Sequence, residues 1–437
     1  MTKRTKFVAA GAALMLGATT LFAGSIDAKS NLSTGYLRNP SRNTEDSRPE
    51  AALYNLAGTG FLKQKFSAEV GNQFVFKEYS HKASDAATQS VIGTSTYKDE
   101  KPVILYPNVD MVYRFGDFAV SASFHIAAGG GSLDYKKGTG LTKALFLGAA
   151  QRQAAAGNSA AAVALQAIAG DSHELEVTSV TYGETIGLAY NWNDTLSVAA
   201  GIRFLEATQS MTLSSDNAYW TGAINGQSDA GYDAFGWGVG GIFGVHYKPI
   251  SKLDLTLQYK TITKMRMEFT DVQGSALSAM LGIAEGDKFD NDLPSELNTG
   301  IGYQLLDSLY LSTSFNYYFN SHADVSSAFS PDKNIDWDDS WEIACGADWQ
   351  LSPKVLLSTG TLYSRQGSQD DVNNALSPVL DSLSFAVGVE YQAMKQLTIT
   401  YGAMYTLYKE ADYTASGITF ELDKTVFQMA LSATYAY

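Results

Sequence analysis

Four basic residues in the middle of the chain are the first candidates for binding chemistry. Each stands where an alternating apolar and polar pattern would turn it inward: Arg203, Lys260, Lys264 and Arg266. An inward cation could hold the carboxylate of a ligand, and arginine could do so through two parallel hydrogen bonds. The alternative is that these cations form internal ion pairs with Glu206, Glu268 or Asp254.

Catalytic and metal-binding patterns are otherwise weak in this sequence. The 5 histidines are scattered, and none has metal-ligand spacing to another histidine or to Cys345. His125 shares a strand face with Ser121 and Ser123, but these are local neighbours and do not form a catalytic set. A glycine-rich phosphate-binding motif is absent. The sequence therefore predicts no enzyme, no cofactor and no metal.

The segments that would position the four cations alternate with a period of two. Residues 253–261, 308–320 and 396–408 each place apolar side chains on one face and polar side chains on the other. The last two run for 13 residues. Strands of soluble sandwiches usually have about five or six residues, whereas a tilted strand needs about 9 to 11 to cross a bilayer. The pattern therefore indicates membrane-crossing strands.

Connections between these segments are short and long in turn. The short links are Gly116-Asp117, Trp192-Asn193, Pro249-Ser251, Leu306-Asp307, Ser352-Pro353 and Met394-Lys395. The long polar segments are roughly 80–106, 128–172, 212–231, 271–293, 321–335, 367–378 and 411–422. Outer-membrane barrels have short periplasmic turns and long external loops. The rhythm predicts an all-β fold, a transmembrane antiparallel β-barrel of about 14 strands.

Composition agrees with this prediction. The formal net charge of −14 argues against a nucleic-acid partner, because binding to phosphate needs a basic surface. Beyond the N-terminus the chain has no run of 18 apolar residues, which excludes a helical membrane protein. A barrel conceals its membrane-facing residues by alternation, so its mean hydropathy stays near zero.

Both ends of the chain carry export signals. Basic residues followed by a short apolar core and small residues predict a cleaved signal peptide over residues 1–28. Alternation from Phe427 continues to the aromatic Tyr437, as in a final strand that the barrel assembly machinery recognises. The expected location is the bacterial outer membrane, with its lipid around the barrel.

Three segments do not fit the simple strand pattern. Residues 29–66 precede the first strand and are too long for a leader. Residues 141–170 are rich in helix-forming residues, and we expect two short helices in an external loop, with a disordered insert as the alternative. The run Gly129-Gly130-Gly131 could kink the wall and open a lateral exit to the membrane, or it could be the start of a loop.

Three stretches resemble a known family. Residues 39–74, which contain YNLAG, resemble the start of mature proteins in the long-chain fatty acid outer-membrane transporter family, the FadL/TodX group. Residues 290–312 are similar to that family's Leu-Pro-Ser segment, and residues 336–360 to its Trp-Asp-Asp-Ser-Trp hairpin. The stretches occur in the family's order and span most of the chain. One departure is Leu56, where the family has a proline that would fix a backbone bend.

The resemblance implies a 14-stranded barrel that is closed by an N-terminal hatch and takes up hydrophobic molecules. We assign residues 29–66 to the hatch and 67–437 to the barrel. The candidate hatch contacts to a ligand are Leu53, Tyr54, Asn55, Leu56, Phe61 and Leu62, and the candidate gating residues are Asn55, Leu56, Ala57 and the three glycines 129–131. The resemblance does not say how a hatch with Leu56 moves.

The predicted function is passive transport of long-chain fatty acids or other hydrophobic small molecules by a monomer. The external loops would capture the ligand and pass it into the barrel against the hatch. Two alternatives stay open, a small-solute porin and a surface adhesin or ligand-binding barrel. A porin needs an open polar lumen, so the presence of a hatch separates the first two.

Overall fold

The fold is described from a computed structural model. It describes residues 31–86, 89, 96–140, 142–143, 155, 157, 173–215, 229–273, 283–327, 330–334, 337–367, 376, 378–415 and 418–437. The helices expected within 141–170 lie almost entirely outside these ranges. None of the described helices is both long enough and apolar enough to cross a membrane.

Fourteen antiparallel strands form one closed wall, as the alternation predicted. They are β1 Phe66–Ala83, β2 Tyr97–Asp99 with Val103–Phe115, β3 Phe118–Tyr135, β4 His173–Asn193, β5 Leu196–Ser215, β6 Asp229–Ile250, β7 Leu253–Lys260 with Arg266–Gln273, β8 Lys288–Asp290 with Glu296–Leu306, β9 Leu309–Tyr318, β10 Ser340–Ser352, β11 Val355–Arg365, β12 Ser382–Gln392, β13 Leu397–Tyr408 with Ala411–Ala415, and β14 Ile418–Ala436. The first strand pairs with the last from Ser67↔Ala436 to Ala83↔Phe420. Closure leaves the sheet without an edge, which the interior of a bilayer requires.

Each strand presents an oily face outward. In β12, Leu383, Phe385 and Val387 are exposed, while Ser384 and Ala386 between them are buried. The outward face would meet lipid, and the inward face lines the lumen. The wall therefore has the polarity that the sequence pattern predicted.

Connections also follow the predicted rhythm. Six tight links join β2–β3, β4–β5, β6–β7, β8–β9, β10–β11 and β12–β13, each within two residues of the predicted position. Phe66, at the start of β1, donates its backbone N–H to the carbonyl of Tyr437 at 3.0 Å. The first strand thus begins, and the last ends, at the short-turn end of the barrel.

A further element, residues 31–62, lies inside the wall. It contains α1 Thr34–Arg38, α2 Ala51–Tyr54 and a 3₁₀ helix at Leu56–Phe61. Ser33 caps α1 by accepting a hydrogen bond from the Tyr36 N–H at 3.4 Å. The α1 helix contacts β12, β13 and β14, and the 3₁₀ helix contacts β4, β5 and β6 on the other side of the lumen. We call residues 31–62 the hatch.

Candidate functional site

The lumen beyond the hatch, toward the long loops, is lined by apolar side chains. They form one buried cluster that includes Tyr79, Leu133, Leu175, Leu205, Met211, Leu213, Met267, Phe269, Phe289 and Phe420. Strand residues on the inner face of a water-filled pore are polar. An apolar inner face at this end instead offers a surface for hydrophobic solutes.

A narrow cavity separates this apolar cluster from the hatch. Its cavity volume is about 30 Å³, and it is lined by Leu32, Leu53, His125, Ala127, Thr185, Arg203, Leu205, Ile242, Lys260, Leu293, Pro294, Glu296 and Tyr318. Leu32 and Leu53 come from the hatch, and most of the other side chains come from the wall. The cavity therefore has an apolar body with a small charged region.

Two of the four predicted cations reach this cavity. Lys260 Nζ lies 2.9 Å from Glu296 Oε1, and Arg203 Nη1 lies 3.3 Å from the same oxygen. Arg203 also donates from Nε to Thr263 Oγ1 at 2.9 Å and from Nη2 to the Thr261 carbonyl at 2.8 Å. Arg203 is thus held mainly by the protein, whereas Lys260 has one ion-pair contact among the described residues and further N–H groups that could bind a ligand.

The ion-pair alternative from the sequence named the wrong acidic partners. Glu296 pairs with both cations, whereas Glu268 pairs with Lys288 at 2.8 Å. Asp254 pairs with His246 at 2.9 Å and with Lys248 at 3.2 Å. Glu206 lies between the buried Leu205 and Ala207, so its side chain points outward, away from the lumen.

Lys264 and Arg266 do not face the lumen, and their predicted inward position is wrong. Lys264 is 73% exposed and lies 3.6 Å from Asp324, and Arg266 is also exposed. The reason is that β7 is interrupted between Lys260 and Arg266, where only Thr263 forms an isolated bridge, to Leu293. When alternation is counted across such a break, the side chains after it are assigned to the wrong face of the sheet.

The predicted hatch contacts are almost all buried, but only Leu53 lines the cavity. Tyr54 Oη accepts a hydrogen bond from the Leu32 N–H at 3.0 Å. Burial, and after it the Glu50 carboxylate, raises the pKa of the Tyr54 phenol well above its usual range. Phe61 is half-buried, with its ring 5.0 Å from that of His246. These side chains fix the hatch in place.

Leu62, Asn55 and Ala57 have similar packing roles. The Leu62 carbonyl accepts a hydrogen bond from Arg114. Asn55 Nδ2 lies 2.9 Å from His246 Nδ1 and 3.0 Å from the Glu45 carbonyl oxygen. The buried Ala57 packs against Gly244, where an added Cβ would lie 3.6 Å from the Ala57 methyl.

Leu56 makes a contact that the family's proline could not make. Its backbone N–H donates to Gln258 Oε1 at 2.8 Å, and Gln258 Nε2 donates back to the Leu53 carbonyl at 3.2 Å. Proline has no N–H. The Leu56 side chain is fully buried over Gly187 and Gly201, where a Cβ at Gly201 would lie 3.0 Å from Leu56 Cδ2. The departure in the sequence therefore strengthens contact between hatch and wall.

Arginines of the hatch anchor it to carboxylates of the wall, which the sequence did not reveal. Arg38 lies 2.8 Å from Glu390 Oε1 and 3.0 Å from Asp348 Oδ1. Arg48 pairs with the second oxygen of Glu390. Arg42 pairs within the hatch with Glu45 and with Glu50, the latter at 2.7 Å. Alternation along the strands predicts that Asp348 and Glu390 point inward. It does not predict their partners, because those arginines lie more than 300 residues away in the chain.

We expect Glu390→Gln to loosen the hatch, because two arginines would lose their shared counter-ion. Breaking a buried ion pair costs about 3–5 kcal/mol. Hydrogen exchange of the hatch amides should therefore rise while exchange in the strands stays low. The matched control is Glu421→Gln, since the Glu421–Lys82 pair is about half exposed and such pairs are worth about 0–1 kcal/mol. Equal exchange in both variants would contradict the anchoring role.

The glycine run lies within a strand and is not the start of a loop. The pairing of β3 with β4 shifts register between Ile126 and Ala128 and again between Ala128 and Gly131. Gly129 and Gly131 have φ of +84° and +87°, which L side chains rarely adopt. The run forms bulges in the wall, as one of the two sequence interpretations expected.

A gap in the hydrogen-bond ladder adjoins this bulge. β2 pairs with β3 only from Phe115↔Phe118 to Val109↔Phe124. β3 continues to Tyr135, but residues 103–108 of β2 form no ladder pairs with β3. His125 and Ala127 of β3 line the cavity and lie just beyond Phe124, where the pairing with β2 ends. The β2–β3 ladder therefore stops beside residues that line the cavity.

We expect Gly129→Ala to disturb this bulge. A methyl group at that position would lie 2.5 Å from the Ser179 carbonyl oxygen, in addition to the strain of a positive φ. Strain of this kind costs about 1–3 kcal/mol. Urea unfolding of the refolded barrel would measure the loss. Gly116→Ala is the control, because Gly116 also has a positive φ but nothing within 4 Å of the added methyl. Equal losses in both variants would mean that crowding at the bulge is unimportant.

Metal binding at the short-turn end has little support. Among the described residues, one group of three or more His, Cys, Asp or Glu side chains brings its ligand atoms together, namely Asp46, His246 and Asp254. The ammonium of Lys248 already pairs there with Asp46 and with Asp254. That cation already offsets one of the two negative charges.

Comparisons with known proteins give the same architecture. A Pseudomonas aeruginosa FadL homologue has a TM-score of 0.68 at 15% identity, covering 95% of this chain and 99% of that one. The Pseudomonas putida toluene transporter TodX has 0.61 at 13%, covering 91% and 97%. The Ralstonia pickettii toluene transporter TbuX has 0.57 at 15%, covering 95% and 99%. At these identities the likeness is one of fold.

Sequence comparison gives the family itself. Outer membrane protein P1 of Haemophilus influenzae is 25% identical over 189 residues, which cover 41% of this chain and 40% of that protein. Residues 164–437 match the family model described as outer membrane protein transport protein (OMPP1/FadL/TodX). The chain therefore belongs to the OMPP1/FadL/TodX family of outer-membrane transport proteins, and it is a bacterial outer-membrane β-barrel.

Proposed function

We propose that this protein carries long-chain fatty acids, or similar hydrophobic compounds with an acidic end, passively across the outer membrane. The observation that carries this proposal is the cavity above the hatch, whose apolar wall ends at Lys260, Arg203 and Glu296. Neutral hydrocarbons would need the apolar part alone. An inward cation with unused N–H groups favours a ligand with a carboxylate.

The apolar part of the pathway supplies the energy for binding. Burying each CH₂ group is worth about 0.8 kcal/mol, so a long acyl chain gains more from the lumen than a small ring does. Leu53 and Leu205 lie on the cavity wall close to the charged end. We propose that the acyl chain extends from there into the apolar cluster, with its carboxylate toward Lys260.

The named relatives support the hydrophobic class and leave the acidic end open. TodX and TbuX are described as toluene transporters, and toluene has no charge. A cation pair in the corresponding space of this chain would add a preference for anions. The buried hatch argues against a small-solute porin, which needs an open lumen.

We propose that the ligand leaves sideways through the gap between β2 and β3, with the hatch as the floor. His125 and Ala127 line the cavity and follow Phe124, the last residue of β3 that pairs with β2, which supports an exit at this point. The proposed domains are an N-terminal segment 29–66, which includes the hatch at 31–62, and the barrel at 67–437. A closed wall with its own hatch gives each monomer a complete pathway.

Uptake by whole cells tests the proposal. Cells that lack their own fatty acid transporter would express the chain and receive a fluorescent long-chain fatty acid. We expect faster uptake than in cells with an empty vector, and a smaller increase for toluene. A folded, surface-located barrel that gives no increase for the fatty acid would overturn the substrate class. An increase for toluene alone would favour the neutral-hydrocarbon class of the named relatives.

A further inference from the structure

Two buried carboxylates face each other across neighbouring wall strands. Glu69 on β1 pairs in register with Asp110 on β2, and they are 3% and 0% exposed. Side chains at directly opposite positions have Cβ atoms about 4.5–5.5 Å apart. Among the described residues, neither carboxylate forms a salt bridge. Burying two like charges without compensation is costly, so such a pair usually holds a proton or a cation.

Several oxygen atoms around this pair have no hydrogen-bond partner. Asn108 Nδ2 donates to Asp110 Oδ2 at 2.8 Å, and Thr434 Oγ1 donates to Glu69 Oε2 at 2.7 Å. Ser123, directly opposite on β3, also hydrogen-bonds to the Asp110 carboxylate. Glu69 Oε1 and Asn108 Oδ1 are buried without a partner in the described part of the chain. Buried polar atoms are nearly always satisfied by protein, water or an ion.

The hatch adds a further oxygen beside Gly71, the next position on this face of β1. Thr34 Oγ1, at the start of α1, is likewise buried without a partner, and both Thr34 and Asn108 are 0% exposed. Thr34 Oγ1 and Asn108 Oδ1 lie close to the point that a Cβ on Gly71 of β1 would occupy, and Ser432 Cβ lies 3.1 Å from that point. Gly71 lies two residues after Glu69 and therefore on the same face of β1. Because glycine has no side chain, it leaves room between the hatch and the wall.

We propose that Glu69, Asp110, Asn108 and Thr34 form a binding site for a hard divalent cation of the calcium class. Two carboxylates, an amide carbonyl and a hydroxyl are oxygen ligands, which Ca²⁺ takes in irregular sets of 6 to 8 with water. The set has no sulfur or imidazole, so it does not suit softer metals. The cation would neutralise the acidic pair and satisfy the orphan oxygens together.

Such a cation would tie the hatch to the wall. Three of the four ligands belong to β1 and β2, and Thr34 belongs to α1 of the hatch. A cation that binds only when these parts are together stabilises the closed arrangement by mass action. This role is independent of the transported compound.

Calcium titration of the full chain in detergent tests the site. After chelation, we expect CaCl₂ to raise the melting temperature saturably, with Mg²⁺ less effective, and equilibrium dialysis to show bound Ca²⁺. Asp110→Asn and Glu69→Gln should each weaken Ca²⁺ binding at least roughly tenfold, because ligand charge sets the affinity of such sites. Thr34→Ala should weaken it less while keeping both carboxylates. Glu421→Gln, an exposed acid, is the control.

Three outcomes would overturn the proposal. The first is no saturable Ca²⁺ binding by the folded wild-type chain. The second is unchanged Ca²⁺ affinity in Asp110→Asn and Glu69→Gln. The third is a higher melting temperature in both amide variants with no calcium effect on the wild type, which would indicate a shared proton. If the acidic variants fail to fold, unchanged affinity in Thr34→Ala would still exclude the hatch from the site.

Discussion

Deleting the hatch, residues 31–62, should turn this barrel into an open pore. We expect the single-channel conductance to rise at least roughly tenfold, because a 14-stranded barrel lies between filled eight-stranded barrels and open 16-stranded porins in size. The hatch spans the lumen from β4–β6 to β12–β14 and is almost entirely buried. Planar-bilayer recordings of the deleted and full-length proteins would measure the change.

The comparison needs a folded deletion variant. Heat-modifiable migration in gels would show whether the wall still closes, as the direct β1–β14 pairing predicts. If the deleted protein folds and its conductance stays that of the full-length chain, the hatch is not the barrier. The apolar cluster around Phe269 and Phe420 would then close the lumen alone.

The wall could be predicted from the sequence because its signals are local. Alternation within a strand and a tight turn after it depend on neighbours a few residues apart. The turn at residues 307–308 and the inward serines of β9 follow from such patterns. The glycine run was compatible with either a kink in the wall or the start of a loop, and the register shifts between β3 and β4 decide for a bulge.

Contacts across the lumen could not be predicted in the same way. Glu296 meets Lys260 and Arg203 from β8, β7 and β5, and this meeting depends on strand register and on the curvature of the wall. The break in β7 after Lys260 left no clear mark in the sequence and turned Lys264 outward. Hatch anchors such as Arg38–Glu390 join residues far apart in the chain.

The charge of Lys260 should decide between an acidic and a neutral ligand. We expect Lys260→Met to weaken binding of a long-chain fatty acid roughly 10- to 100-fold, because a hydrogen bond to a charged group is worth about 1.5–3 kcal/mol. An alcohol of the same chain length should lose much less, since its apolar contacts are unchanged. Fluorescent-ligand displacement on the purified protein would give both affinities.

Lys260 is a cleaner test than Arg203, and the chain provides its own controls. Arg203→Met would also remove the bonds to Thr263 and the Thr261 carbonyl, so it would disturb β7 as well as the site. Lys264→Met and Arg266→Met remove one positive charge each from the same strand region, but on the exposed side. They should leave fatty acid binding unchanged. If they weaken it as much as Lys260→Met does, the effect comes from overall charge, and the cavity is not where the carboxylate binds.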